Sequence, residues 1–159
     1  MRALLLAAAA GILTASVSAQ EVVSVSTDTA VARGALVATD HDIAVDNQLG
    51  IIALEGLGST PEAADVVAYG VDRDGSALIA FDTTVDLGGV FAARGDIVRW
   101  DGTVHSIALD VSAAGVPSGA VVDAVSLAPG GYLLSFDTTV DLGSGVVAED
   151  ALSLIHISE

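Results

Sequence analysis

Aspartate is the residue type in this chain whose number and spacing could do chemistry. Asp28, Asp82 and Asp137 occupy equivalent places 54 and 55 residues apart, and Asp42, Asp96 and Asp150 form a second series. Asp40, Asp42 and Asp46 cluster in one stretch, and Asp72-Arg73-Asp74-Gly75 forms another. Calcium takes several carboxylate and carbonyl oxygens in a flexible loop, so Asp40, Asp42, Asp46, Asp72 and Asp74 are the calcium candidates. The second cluster departs from a calcium loop at both ends, with Gly70 where the leading Asp belongs and Phe81 where the closing Glu belongs. The competing use is structural. An Asp beside a turn accepts hydrogen bonds from nearby backbone amides and holds the bend, and the sequence favours that use.

Catalytic groupings are harder to assemble. Of His41, His105 and His156, the last lies in a foreign-looking tail, and His105 shares a strand face with Ile107 and Leu109. No nucleophile elbow, zinc-binding His pair or phosphate loop occurs, so no catalytic or cofactor-binding residue is assigned. The chain has no cysteine, which removes thiolate chemistry and disulfides. Lysine is absent too, and the arginines beyond residue 20 are Arg33, Arg73, Arg94 and Arg99. With a formal charge of −16, binding to nucleic acid or anionic lipid is electrostatically disfavoured.

The elements that must position these residues recur. FDTTVDLG stands at Phe81–Gly88 and again, identical, at Phe136–Gly143. A third copy, Asp28–Ile43, aligns without a gap on Asp82–Ile97 and matches at Asp28, Thr29, Val31, Gly34, Ala38, Asp42 and Ile43. Recurrence at a fixed period marks a repeat architecture, here about two and a half units: 28–81, 82–136 and a partial 137–151.

Within a unit, Ala77–Phe81 is an apolar run that fits a strand buried on both faces. It follows Asp74-Gly75, and its counterpart Tyr132–Phe136 follows Gly130-Gly131; both dipeptides suit tight hairpins. Asp96–Trp100, the alternating Val104–Val111 and Ala120–Leu127 complete the unit, with a loop at Ser112–Gly119. The fold class is therefore all-β, in tandem four-stranded antiparallel sheets of about 54 residues each. Sheets of this size must pack on one another to bury their apolar faces. A fragment of a β-propeller meets that need, and a β-sandwich is the alternative.

The ends read differently. Residues 1–19, with Arg2, the apolar run Ala3–Leu13 and Val17-Ser18-Ala19, have the layout of a secretory signal peptide cut before Gln20. Its helix is too short to be a membrane span, and no span is expected in the mature chain. Leu152–Glu159 (LSLIHISE) breaks the repeat register and resembles translated sequencing-adapter sequence; native sequence is expected to about Ala151 and to continue beyond it in the natural protein.

VDAVSLAPGGYLLSFDTTVDLG, with DIVRWDG and DVSAAGVPSG, resembles a group of uncharacterised secreted bacterial proteins built of tandem repeats around an LLSFD-type strand. The resemblance covers Asp65 to about Ala151 and, loosely, Asp28–Gly58. It implies a repeat fold and brings no activity with it. The expected function is a secreted or periplasmic acidic protein with a non-catalytic binding or structural role at the cell exterior, toward a protein or surface glycan. The rivals are a propeller-type enzyme with its site in missing blades and a calcium-stabilised adhesin-like module.

Overall fold

The computed structural model describes residues 23–26, 29–33, 36–47, 51–143, 145–148 and 155–158. Residues 1–19, Asp28, Asp150 and, within the adapter-like tail, residues 152–154 and 159 lie outside the described residues. In chain order the strands are β1 (Val23–Ser26), β2 (Val31–Arg33), β3 (Leu36–Ala38), β4 (Ile43–Asp46) and β5 (Ile51–Leu54). Next come β6 (Val66–Val71), β7 (Ala77–Phe81), β8 (Val85–Asp86), β9 (Phe91–Ala92), β10 (Ile97–Trp100) and β11 (His105–Leu109). The last are β12 (Val122–Ala128), β13 (Gly131–Phe136), β14 (Val140–Asp141), β15 (Val147–Ala148) and β16 (Ile155–Ser158).

These strands build several small antiparallel sheets, with no helix among the described residues. The central one has the order β11-β10-β7-β6 and is flanked by β1-β4-β5 and by β12-β13-β16. The first half of FDTTVDLG ends β7 or β13. The second half enters a short hairpin, β8-β9 or β14-β15, before the chain returns beside the buried strand. Two residues of pairing on each side make that stretch a small sheet of its own. The hydrogen-bonded sheet is also cut in a different phase from the sequence unit, because β12 pairs with β13 ahead of it and not with β11 behind it. β16 takes the place beside β13 that β10 takes beside β7.

Side-chain alternation along β7 explains the core. Leu78 and Ala80 enter a cluster with Val122, Val125, Leu134 and Phe136 of the following sheet. Ile79 and Phe81, on the other face, join Ile43, Leu57, Val66 and Val98. An unbroken apolar strand is thus buried on both sides, as a middle layer requires. β13 is buried on one face only: Tyr132, Leu134 and Phe136 are buried, while Leu133 and Ser135 are half-exposed. Phe81 and Phe136 fill the two inter-sheet spaces, where burial of such a ring contributes about 1.5–3 kcal/mol.

Two local expectations change. β11 does not alternate cleanly, because Ile97 opposes Leu109 while Val98 opposes Ile107, leaving Ala108 as an extra residue. Ile107 is turned partly to solvent as a result. One-residue bulges also interrupt β5, β6 and β12, all sheet-edge strands, where such kinks hinder pairing with foreign strands. The second change concerns the β12–β13 turn. It is made by Pro129-Gly130, with Gly131 already paired to Ala128. Pro presets the first turn position and Gly130, at φ 88°, accepts the left-handed second one.

Candidate functional site

The neighbouring sheets meet closely along β6 and β12 and separate toward β11. At the close end, a Cβ added to Gly70 would lie 2.7 Å from the Val125 carbonyl oxygen. At the open end lies a cleft of about 500 Å³. One wall is Ser106, Ile107 and Ala108 of β11, and the other is Leu127, Gly130, Gly131 and Tyr132. Asp72, Arg73 and Arg99 close the polar end.

Arg99 leaves β10 and is held by the β6–β7 turn. Its Nε donates to Asp72 Oδ2 at 3.2 Å, and its Nη2 donates to Asp74 Oδ2. The same carboxylates organise their own turn, since Asp72 Oδ1 accepts from the Arg73 amide at 2.6 Å and Asp74 Oδ1 from the Ser76 amide at 3.1 Å. Hydrogen bonds from the Ser76 backbone and side chain, and then the Arg99 charge, hold the Asp74 carboxyl below its ordinary value. Desolvation works against the Arg99 charge, but Asp74 and Asp72 outweigh it and raise the guanidinium pKa. Arg73 reaches the other way, its Nη2 donating to the Ala128 carbonyl at 3.1 Å. A fork pinned by two carboxylates is a preorganised donor.

The calcium candidates are placed as follows. Asp72 and Asp74 face Arg99, so the cation they hold in this arrangement is a guanidinium. Asp42 Oδ2 accepts from the Thr39 amide at 2.9 Å and the Thr39 hydroxyl at 2.7 Å. Asp40 Oδ1 stands 3.2 Å from His41 Nδ1, and Asp46 lies in β4 opposite Val23 and Ile51. No group of three or more His, Asp or Glu that could hold a metal ion is found among the described residues.

Among the described residues, the recurring aspartates Asp42, Asp82, Asp96 and Asp137 are bound to backbone. Asp96, buried, accepts from the Ala93 amide at 2.8 Å and the Val111 amide at 3.1 Å. Asp82 and Asp137 do more than hold a local bend: each bonds the residue just before the strand paired with its own, Asp65 before β6 or Val121 before β12. Asp101 caps its hairpin by accepting from the Val104 and Thr103 amides, which hold its carboxyl below the usual range.

His105 also has a structural place. Its ring stacks on Trp100, with centroids 4.4 Å apart, and its Nε2 lies 2.8 Å from the Leu57 carbonyl. A carbonyl only accepts, so Nε2 carries the proton. Gly58 packs so near both rings that a Cβ there would lie 2.8 Å from His105 Cε1. The edge of this pair lines a second groove with Leu87 and Val90.

The sequence reading missed the meeting of Arg73 and Arg99 in one cleft. The available signal was an Arg in the strand after the repeat phrase and an Asp-Arg-Asp turn before it, but only strand order puts them side by side. No protein-family model matches this chain, and no curated protein or solved structure matches it either.

Proposed function

We propose that this chain is a secreted, non-catalytic repeat scaffold that presents a binding surface, or serves structurally, at the cell exterior. The observation that carries this reading is the use made of its acidic residues. Asp42, Asp82, Asp96 and Asp137 spend carboxylate oxygens on backbone amides of turns and strand ends. What recurs in a repeat holds each unit together, and what differs between units is left for recognition. The central sheet and the one that follows it close up along β6 and β12 and open toward β11, a wedge that supports a radial, propeller-like arrangement. No helix among the described residues is long and apolar enough to cross a membrane.

The test is fractionation of bacteria expressing the full chain, followed by mass spectrometry of its N-terminus. Export with a mature end at Gln20 is the expected result. Retention in the cytoplasm with residues 1–19 still attached sinks the proposal.

A further inference from the structure

We propose that the cleft between β11 and the β12–β13 hairpin binds a neutral saccharide. This rests on the binding branch of the function proposed above and names its site. Asp72, Arg73 and Arg99 line the cleft, and Asp74, outside it, pairs with Arg99, so these four formal charges cancel in a chain whose formal charge is −16. Such a frame has no preference for a cation or an anion. It does offer donors and acceptors side by side: guanidinium N–H groups from two elements, carboxylate oxygens and the Ser106 hydroxyl. A sugar diol, which donates and accepts at neighbouring positions, matches that pattern.

The remainder of the cleft suits the other face of a sugar ring. Ile107, Ala108, Leu127 and Tyr132 supply an apolar surface beside the polar edge. More of the cleft surface is polar than apolar, which suits a ligand dense in hydroxyls. The volume, about 500 Å³, lies in the range of small-molecule sites. Arg99 is already pinned by two carboxylates, so little side-chain freedom is lost on binding.

The experiment follows backbone amide NMR shifts of the full chain on titration with maltose, cellobiose and N,N′-diacetylchitobiose, with glucuronic acid as the charged comparison. Wild type is compared with Arg73→Gln and Ser106→Trp, both at exposed positions. Dissociation constants in the millimolar range are expected for at least one neutral sugar, with shifts at residues 72–74, 99, 106–108 and 130–132. Ser106→Trp intrudes on the cleft from the β11 wall and weakens binding about tenfold or more, a change of about 1.4 kcal/mol. Preferential binding of glucuronic acid, or shifts centred elsewhere, overturns the proposal. So does the absence of sugar binding; if the exported chain then still attaches to whole cells, the function proposed above stands without this site.

Discussion

Asp137 Oδ1 accepts a hydrogen bond from the Val121 amide at 2.8 Å, and the Asp137 amide donates back to the Val121 carbonyl at 3.0 Å. Asp82 does the same with Asp65, at 3.0 and 3.1 Å. The aspartate that follows each buried Phe therefore extends the strand pair by one more closed ring, using a side chain where the ladder ends. It acts across strands, 16 or 17 residues apart in sequence.

Removing that acceptor should cost about 1–3 kcal/mol, the range for leaving a buried amide unpaired. Asp137→Ala should show this loss in urea unfolding, and Asp137→Asn, which keeps Oδ1, should lose less. Equal losses in the two variants would locate the effect in the charge and refute the clamp.

Gly70 tests the approach of the sheets. A methyl group there meets backbone at 2.7 Å, and Gly70→Ala should destabilise the fold by about 1–3 kcal/mol through overpacking. Gly56→Ala, where the added Cβ meets nothing within 4 Å, should stay within about 0.5 kcal/mol of wild type. Thermal melts of the pair decide it. A tolerated Gly70→Ala would mean that β6 and β12 are not held together at this point.

Phe81 and Phe91 separate core from surface within one unit. Phe81 is fully buried and Phe91 is 71 % exposed. Phe81→Ala should cost about 3–5 kcal/mol, and Phe91→Ala should leave stability within about 0.5 kcal/mol. Similar unfolding midpoints for both variants would contradict the placement of the β8-β9 hairpin.

Acid should weaken the turns. The Val104 and Thr103 amides lower the Asp101 pKa, and the Ala113 amide and Ser112 hydroxyl lower that of Asp110. A carboxyl whose pKa is depressed by folding contributes stability above its unfolded value, about 3.9, and loses it as pH falls through the folded value. The melting temperature should thus be level above that range and decline below it. An Asp101→Asn, Asp110→Asn double variant should decline less steeply, and an unchanged slope would discount these caps. Tyr69 runs the other way: burial, then the Glu55 charge, raises its pKa. Its contribution is present below about pH 10 and lost as pH rises through the folded value.

Much of the sheet plan was legible because it depends on local pattern. Ala77–Phe81 reads as a doubly buried strand from five apolar residues between turn signals, and the structure gives β7 those bounds. Phe136 and the strands around it follow by equivalence. β11 was read with clean alternation because a bulge leaves no mark in sequence; the extra residue, Ala108, is as apolar as its neighbours. The Gly130-Gly131 hairpin slipped by one residue because Pro129 makes a better first turn position than glycine.

By itself, then, the sequence determined an acidic, cysteine-free, all-β chain with strands at recurring intervals, since side-chain periodicity and turn residues act over a few positions. Only the tertiary structure decided what the aspartates do and where the arginines meet. Asp82 finds Asp65, Asp137 finds Val121, and Arg99 finds the Asp72–Asp74 turn across distances along the chain that no local pattern encodes. Strand pairing brings them together, and hydrogen bonds depend on separation in space rather than in sequence. In the folded chain the carboxylates of Asp42, Asp72 and Asp74 engage backbone amides and, for the last two, a guanidinium.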